Sequence, residues 1–304
     1  MYSKFNTWLN NPAYFRYGFV LVWVISLVLT FFAAEFNGYF YIFYIVGAAF
    51  LGLGFYHKSP WFLVILTTLL VVCRFFFSPE DGHNLITFLF YIFTYLLITF
   101  ISVGFMKNYQ RTKEDNIELI KALSNALDMR DTYTMNHSEN VARVALDIAR
   151  GMNLPKKVCE GIYIGGLLHD IGKIGIPERV LSKSGKLTDD EYEIIKNHTF
   201  IGYQIINHIS YFAENGVLDI VLYHHERYDG RGYPEGLKGE QIPIAARIMA
   251  IADTFDAMTS KRVYREELDL QYALSEIRTQ RGTQFDPDIV DVFLGLYEER
   301  EGAG

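Results

Sequence analysis

A chain of 304 residues with a formal net charge of −7 has room for about two domains. Half of it is hydrophobic, but the charge is unevenly placed: residues 1–106 hold four of the 28 Lys and Arg and three of the 35 Asp and Glu. The other 24 basic and 32 acidic residues, a net of −8, fall in 107–304, which leaves no basic stripe for long nucleic acid but does not exclude a small nucleotide in a local positive pocket.

Four apolar runs come first: Tyr17–Ala34, Tyr39–Tyr56, Trp61–Phe77 and Leu85–Met106. About 20 apolar residues cross a bilayer core, so these runs predict four transmembrane helices in a membrane domain over 1–106. Lys4, Arg16, Lys58, Lys107, Arg111 and Lys113 fall on one side, and Glu35, Glu80 and Asp81 on the other. The positive-inside bias then places both termini in the cytoplasm of a bacterial-type inner membrane. Arg74 lies near the end of the third run, where its side chain can reach the headgroups. Cys73 and Cys159 form no spacing pattern and imply no disulfide framework.

Residues 107–129 lack Gly and Pro and continue the fourth run as a connecting helix. Ile117, Ile120, Leu123 (or Ser124) and Leu127 form one apolar stripe, fit either to pair with a second copy in a homodimer or to pack on the chain's own domain. Residues 130–304 read as helices throughout. They are Asn136–Gly151 with Gly151 at its C-terminal cap, Pro155–Leu168, one from Thr188 to about Ile209, Glu214–His225, Pro243–Ser260, Asp269–Arg281 and Pro287–Glu299. Thr188 and Glu191 have the spacing of a capping box. Gly172–Lys186 and Arg227–Ile242 are loops rich in glycine. No alternating strand pattern appears, so the expected fold class is all-α.

Ligand-type residues cluster on this frame. His169-Asp170 closes one apolar helix, His224-His225 closes another, and His137, His198 and Asp253 sit on three more. Adjacent helical residues point about 100° apart, so His169 and Asp170 cannot approach one ion like an i, i+4 pair. The pair suits a site where the histidine binds one ion and the aspartate reaches between two. Seven ligand-type residues exceed what one ion requires, and two divalent ions about 3.5–4 Å apart are the arrangement that favours in-line attack at phosphorus. A mixed imidazole and carboxylate set fits iron, manganese or zinc. His57, His83 and His208 are read as ordinary hydrogen-bonded histidines.

The ordered motifs carry a resemblance. They are Arg130-Asp131-x-Tyr133-Thr134-x-x-His137-Ser138, His169-Asp170-Ile171-Gly172-Lys173-Ile174-Gly175-Ile176-Pro177 and Gly185-Lys186-Leu187-Thr188. After them come His224-His225-Glu226-Arg227-Tyr228-Asp229-Gly230-x-Gly232-Tyr233-Pro234, Asp253-x-x-Asp256-Ala257-Met258-Thr259-Ser260 and Phe285-Asp286-Pro287. From about Arg130 to Phe293 the chain resembles the HD-GYP family of cyclic di-GMP phosphodiesterases, within the HD metallohydrolase superfamily. The resemblance implies that His137, His169, Asp170, His198, His224, His225 and Asp253 are metal ligands, with Asp170 bridging two iron or manganese ions. It assigns the scissile phosphate to Lys173, other substrate phosphates to Arg262 and Arg265, the guanine side of the pocket or its neighbouring loop to Tyr233, and orientation of the attacking water to Asp131. Members with a third metal carry Glu where this chain has Tyr133, so two ions are expected. The implied reaction opens cyclic di-GMP to pGpG, with a second cut giving GMP. A membrane receptor that binds the nucleotide with little or no hydrolysis, and a hydrolase of another cyclic dinucleotide, are the alternatives.

Overall fold

Apart from one isolated bridge between Arg281 and Phe285, every regular element among the described residues is a helix. The computed structural model describes residues 8–32, 41–77, 84–130, 136–183, 185–260 and 269–302. It divides into two compact units, Met1–Asp115 and Asn116–Gly304.

In the first unit the apolar runs form helices Ala13–Phe32, Tyr41–Gly54, Pro60–Phe77 and the start of Leu85–Asp128. Phe19, Tyr44, Leu51, Leu63, Leu70 and Tyr95 pack into their common core. Among the described residues, only Leu85–Asp128 has the length and hydropathy to cross a membrane. The apolar stretches of the others, Ala13–Leu29, Tyr41–Gly54 and Pro60–Phe76, are 10–17 residues long. Among the described residues the expected four spans therefore reduce to one candidate. Arg74 also differs from expectation. It turns inward, donates to the Tyr95 hydroxyl at 2.5 Å and lies 4.0 Å from the Tyr91 ring centroid.

The long helix Leu85–Asp128 runs unbroken through the division between the units. Within the second unit, Ile120 packs against a core of Ile164, Leu168, Phe212 and Val221, and Ser124 and Leu127 are buried. That part of the stripe packs on its own domain. Leu119 and Leu123 are exposed.

A larger core gathers one face each of His137–Gly151, Lys156–Leu168, Ile244–Thr259, Leu270–Thr279 and Pro287–Gly302. The first of these helices closes through left-handed Asn153 (φ 55°) instead of Gly151. The Thr188 capping box is present, with both of its reciprocal bonds. Two expected helices differ in their bounds. The one from Thr188 splits at Asn197 into Asp189–Lys196 and His198–Ile206. The one expected over Glu214–His225 begins only at Val217, after Gly216 at φ 74° separates it from the short helix Ser210–Glu214, and it ends at Tyr223. The expected Gly172–Lys186 loop contains a 3-10 turn, Ile171–Gly175, and a short helix, Glu178–Leu181.

Candidate metal centre

Helix ends position the ligand-type residues apart from Asp253, which lies within Ile244–Thr259. His137 is the first residue of its helix, His169 caps Lys156–Leu168, and Asp170 leads into the 3-10 turn. His198 opens its helix at the Asn197 break, and His224 closes Val217–Tyr223. A helix end points its last side chain away from the helix's own ladder, so several ends can aim at one point. Gly172 lets two of them approach. A side chain there would put its first carbon 1.8 Å from the His198 carbonyl oxygen.

The orientation of the rings follows from their outer nitrogens. His169 Nδ1 donates to the Gly166 carbonyl at 2.7 Å, His198 Nδ1 to Ile195 at 2.7 Å, and His224 Nδ1 to Ile220 at 3.0 Å. His137 Nδ1 lies 2.6 Å from Asp256 Oδ2. Each bond turns the Nε2 atom inward, as outer hydrogen bonds do for metal-binding histidines. The seven predicted residues then gather in two groups: Asp170, His198, His224 and His225 in one, and His137, His169 and Asp253 in the other. Within each, the ligand atoms lie within 4.8 Å of one another. Asp170 faces both, with Oδ1 3.3 Å from His198 Nε2 and Oδ2 3.2 Å from His169 Nε2.

Two contacts test whether cations fit. With Nδ1 donating outward, a neutral His198 and a neutral His224 each present a bare lone pair at Nε2, and these two atoms are 3.4 Å apart. Two lone pairs cannot bond each other. His169 Nε2 is buried, lacks a hydrogen-bond partner and faces a carboxylate oxygen. Such facing groups inside a protein need positive charge between them, which a proton on His169 supplies in the metal-free protein and a cation supplies in its place. The donor set therefore fits a divalent ion in each group.

Charge in the metal-free protein is divided between the groups. Burial keeps His198 and His224 below the usual imidazole range, the latter well below with help from His225. Burial and then His198 bring His225 down to about 4. For Asp170, burial acts to raise the carboxyl, but Lys173 and His169 hold it well below its usual range. For His137, burial acts to lower the imidazole, but its bonds to Asp253 and Asp256 bring it up to about 10. The Asp170 group is thus stripped of protons near neutrality, whereas the His137 group retains them.

Lys173, in the 3-10 turn, places Nζ 2.7 Å from Asp170 Oδ2. Tyr233 stacks on His225, with ring centroids 4.8 Å apart, and its N–H donates to the His225 carbonyl. A cavity of about 470 Å³ opens beside Tyr233, bounded also by Ile176, Ile194, Lys196, Asn197 and Phe200. The loop carrying Tyr233 folds back on the His pair because Glu226 Oε1 accepts from the Glu235 and Gly236 N–H groups. Gly232 is required by that return. Its first side-chain carbon would lie 2.6 Å from the His225 carbonyl oxygen and 2.3 Å from Arg227 N. Gly232→Ala is expected to cost about 1–3 kcal/mol of stability, the usual range for overpacking. Calorimetric unfolding would read that loss, and metal analysis would read the displacement of His225.

Asp131, Arg262 and Arg265, expected to serve water and phosphate, lie outside the described residues, as does Tyr133. Asp256 received no role from sequence reasoning. Its i, i+3 spacing from Asp253 on one helix was the available signal, since such residues share a face.

The family described as HD domain matches residues 121–289. Among curated proteins, a cyclic di-GMP phosphodiesterase of Thermotoga maritima is 40% identical over 195 residues, covering 64% of this chain and 52% of its own length. The cyclic di-GMP phosphodiesterase response regulator RpfG of Xanthomonas campestris pv. campestris is 42% identical over 190 residues, 62% of this chain and 50% of its own length. A 3'3'-cGAMP-specific phosphodiesterase 2 of Vibrio cholerae is 34% identical over 202 residues, 66% of this chain and 38% of its own length. The chain spans about half the length, or less, of these relatives.

Proposed function

The chain belongs to the HD domain family, and on that premise we propose that it is a metal-dependent phosphodiesterase of the HD-GYP type acting on cyclic dinucleotides, cyclic di-GMP first among them. One observation carries the reading: Asp170 faces both ligand groups, and Lys173 contacts the same carboxylate. Two divalent ions, iron or manganese, would be held by His137, His169 and Asp253 and by His198, His224 and His225, with Asp170 between them. When bound, they would supply Lewis acidity and lower the pKa of a nearby water.

The chain's own residues supply the rest. His198 and His224 present neutral Nε2 atoms, fixed by their outer Nδ1 bonds, and His137 would release its proton to do the same. Lys173 neutralises charge that builds on the phosphate oxygens in the transition state. Tyr233 and the cavity beside it receive a nucleobase, and the cavity's volume is in the range of small-molecule sites. Addition of water across one P–O3′ bond leaves a 5′-phosphate and a 3′-hydroxyl, which is linear pGpG. A second addition gives GMP.

The membrane setting belongs to the same proposal. Val20, Leu21, Val24 and Val28 on one helix, Ile65 and Leu69 on another, and Leu89, Phe90, Phe93, Leu97 and Ile101 on the long helix are exposed apolar side chains. A lipid environment would cover them, with the catalytic unit on the cytoplasmic side. A homodimer would use the exposed Leu119 and Leu123, one turn apart.

Manganese- or iron-loaded full-length protein is expected to convert cyclic di-GMP to pGpG, followed by product chromatography. Lys173→Met is expected to lower kcat by about 10²–10³-fold, the range for loss of one transition-state donor. Tight binding without product in metal-replete protein would replace the enzyme by a receptor. Competition among cyclic di-GMP, cyclic GMP-AMP and linear dinucleotides would fix which bases the site accepts.

A further inference from the structure

Two side chains at the end of the long helix reach the site from outside it. Arg130 follows that helix by two residues. Its guanidinium donates from Nη1 to the Lys173 carbonyl at 3.0 Å and the Ile174 carbonyl at 2.9 Å, and from Nη2 to the Ile176 carbonyl at 2.7 Å. Its Nε donates to Glu178 Oε2 at 3.1 Å. Three of these acceptors belong to or border the 3-10 turn Ile171–Gly175, whose weak hydrogen bonding leaves carbonyls to be satisfied elsewhere. Asp128, the last residue of the helix and itself buried, accepts from Ser138 N–H at 3.0 Å and from the Ser138 hydroxyl at 2.7 Å. Ser138 follows His137 at the start of its helix, where a carboxylate satisfies an open N–H and meets the positive end of the helix dipole.

We infer that Asp128 and Arg130 are positioning residues for the phosphodiesterase reaction: Arg130 holds the turn that aims Lys173, and Asp128 holds the helix start that aims His137. Neither touches the ligand atoms of the two metal groups in any described contact. Both leave from one short stretch at the end of the helix, so a displacement of that end reaches Lys173 along one arm and His137 along the other. A guanidinium suits the first arm because its planar fork serves several carbonyls at fixed angles, which an ammonium cannot do.

The inference rests on the proposed roles of Lys173 and of the paired ions, and its test separates the two. Full-length Arg130→Met, Lys173→Met and the double variant would be loaded with manganese. Arg130→Met should keep the metal content and KM of the unaltered protein while kcat falls roughly 10–100-fold, and its amides at 173–176 should exchange at least about tenfold faster. Because Arg130 acts through Lys173, the double variant should be no slower than Lys173→Met alone. Wild-type kcat in Arg130→Met, or additive losses, would overturn the first arm. An inert Lys173→Met with faster amide exchange in Arg130→Met would instead remove Lys173 from the chemistry and leave Arg130 holding the turn.

For the second arm, Asp128→Ala should weaken one of two bound manganese ions by about 10–100-fold, the usual cost of losing an outer support. Ser138→Ala, which removes only the hydroxyl bond and cannot empty the core, should show a smaller loss in the same direction. Two ions held at unaltered affinity in both would overturn this arm. Fewer than two in the unaltered protein would instead defeat the two-ion reading.

Discussion

Asp170→Asn is expected to lower turnover of cyclic di-GMP by at least about 10³-fold and to leave a chain that no longer holds two ions. The substitution preserves size and shape, so the loss is chemical. Asp170 Oδ1 lies 3.3 Å from His198 Nε2, Oδ2 lies 3.2 Å from His169 Nε2, and Oδ2 lies 2.7 Å from Lys173 Nζ. One carboxylate thus serves both ligand groups and the lysine. An amide offers a single neutral oxygen, so it cannot be shared by two cations, and its NH₂ would face either a histidine lone pair or the ammonium. The carboxyl is held well below its usual range, so it is anionic in the metal-free protein, and the stability it contributes is present above its unfolded value and lost as pH falls through the folded one. Asp170→Asn should therefore also lower the metal-free unfolding temperature at neutral pH. Product chromatography and metal analysis read the two main effects. A variant with two ions and wild-type turnover would remove Asp170 from between the groups.

How far the site was legible depended on whether a side chain or a main-chain atom does the work. The seven ligand-type residues stood out by their chemistry and by the motifs of the resemblance, because a side chain carries its ligand atom wherever the fold places it. Their division was not legible. His137 bonds Asp256, 119 positions away, and only the packing of the His137 and Ile244 helices joins them. Asp256 shows the next limit: its spacing from Asp253 marked a shared face, but only the fold reveals that the face meets His137. Arg130 lies beyond that limit. Its acceptors are carbonyl oxygens of Lys173, Ile174 and Ile176, and every residue has a carbonyl, so no sequence pattern marks these as partners.

Helix content was legible from periodicity, but helix ends were not. The breaks at Asn197 and Gly216 interrupt apolar patterns that continue across them, and the breaks are what place His198 and the His224 pair. In the first unit four apolar runs predicted four spans, and Leu85–Asp128 is the one candidate by length and composition among the described residues.

Removal of metal by a chelator is expected to abolish turnover, and its consequences should change sign with pH in a way that the two ligand groups dictate. In the metal-free protein His137 is raised to about 10 against 6.5 when unfolded, so its stabilising contribution is complete below about 6.5 and is lost as pH rises through the folded value. His225 is lowered to about 4, so its contribution is complete above 6.5 and is lost as pH falls toward that value. Metal-free protein should therefore be most stable near pH 6.5 and decline on both sides. Reloading should not be symmetrical. An ion entering the Asp170, His198, His224 and His225 group displaces no proton at neutral pH, because burial already keeps those imidazoles neutral. An ion entering the His137, His169 and Asp253 group must displace the proton held by His137, brought up to about 10 by Asp253 and Asp256 despite burial, while His169 is shifted in the same direction by Asp170. At limiting manganese, about one ion per chain is expected near pH 6 and a second as pH approaches 8.5, with proton release confined to the second. Metal analysis alongside titration calorimetry in two buffers of different ionisation enthalpy would measure both. Two ions binding with the same pH dependence would mean that the groups share their protons, and the division drawn from their hydrogen bonds would fail.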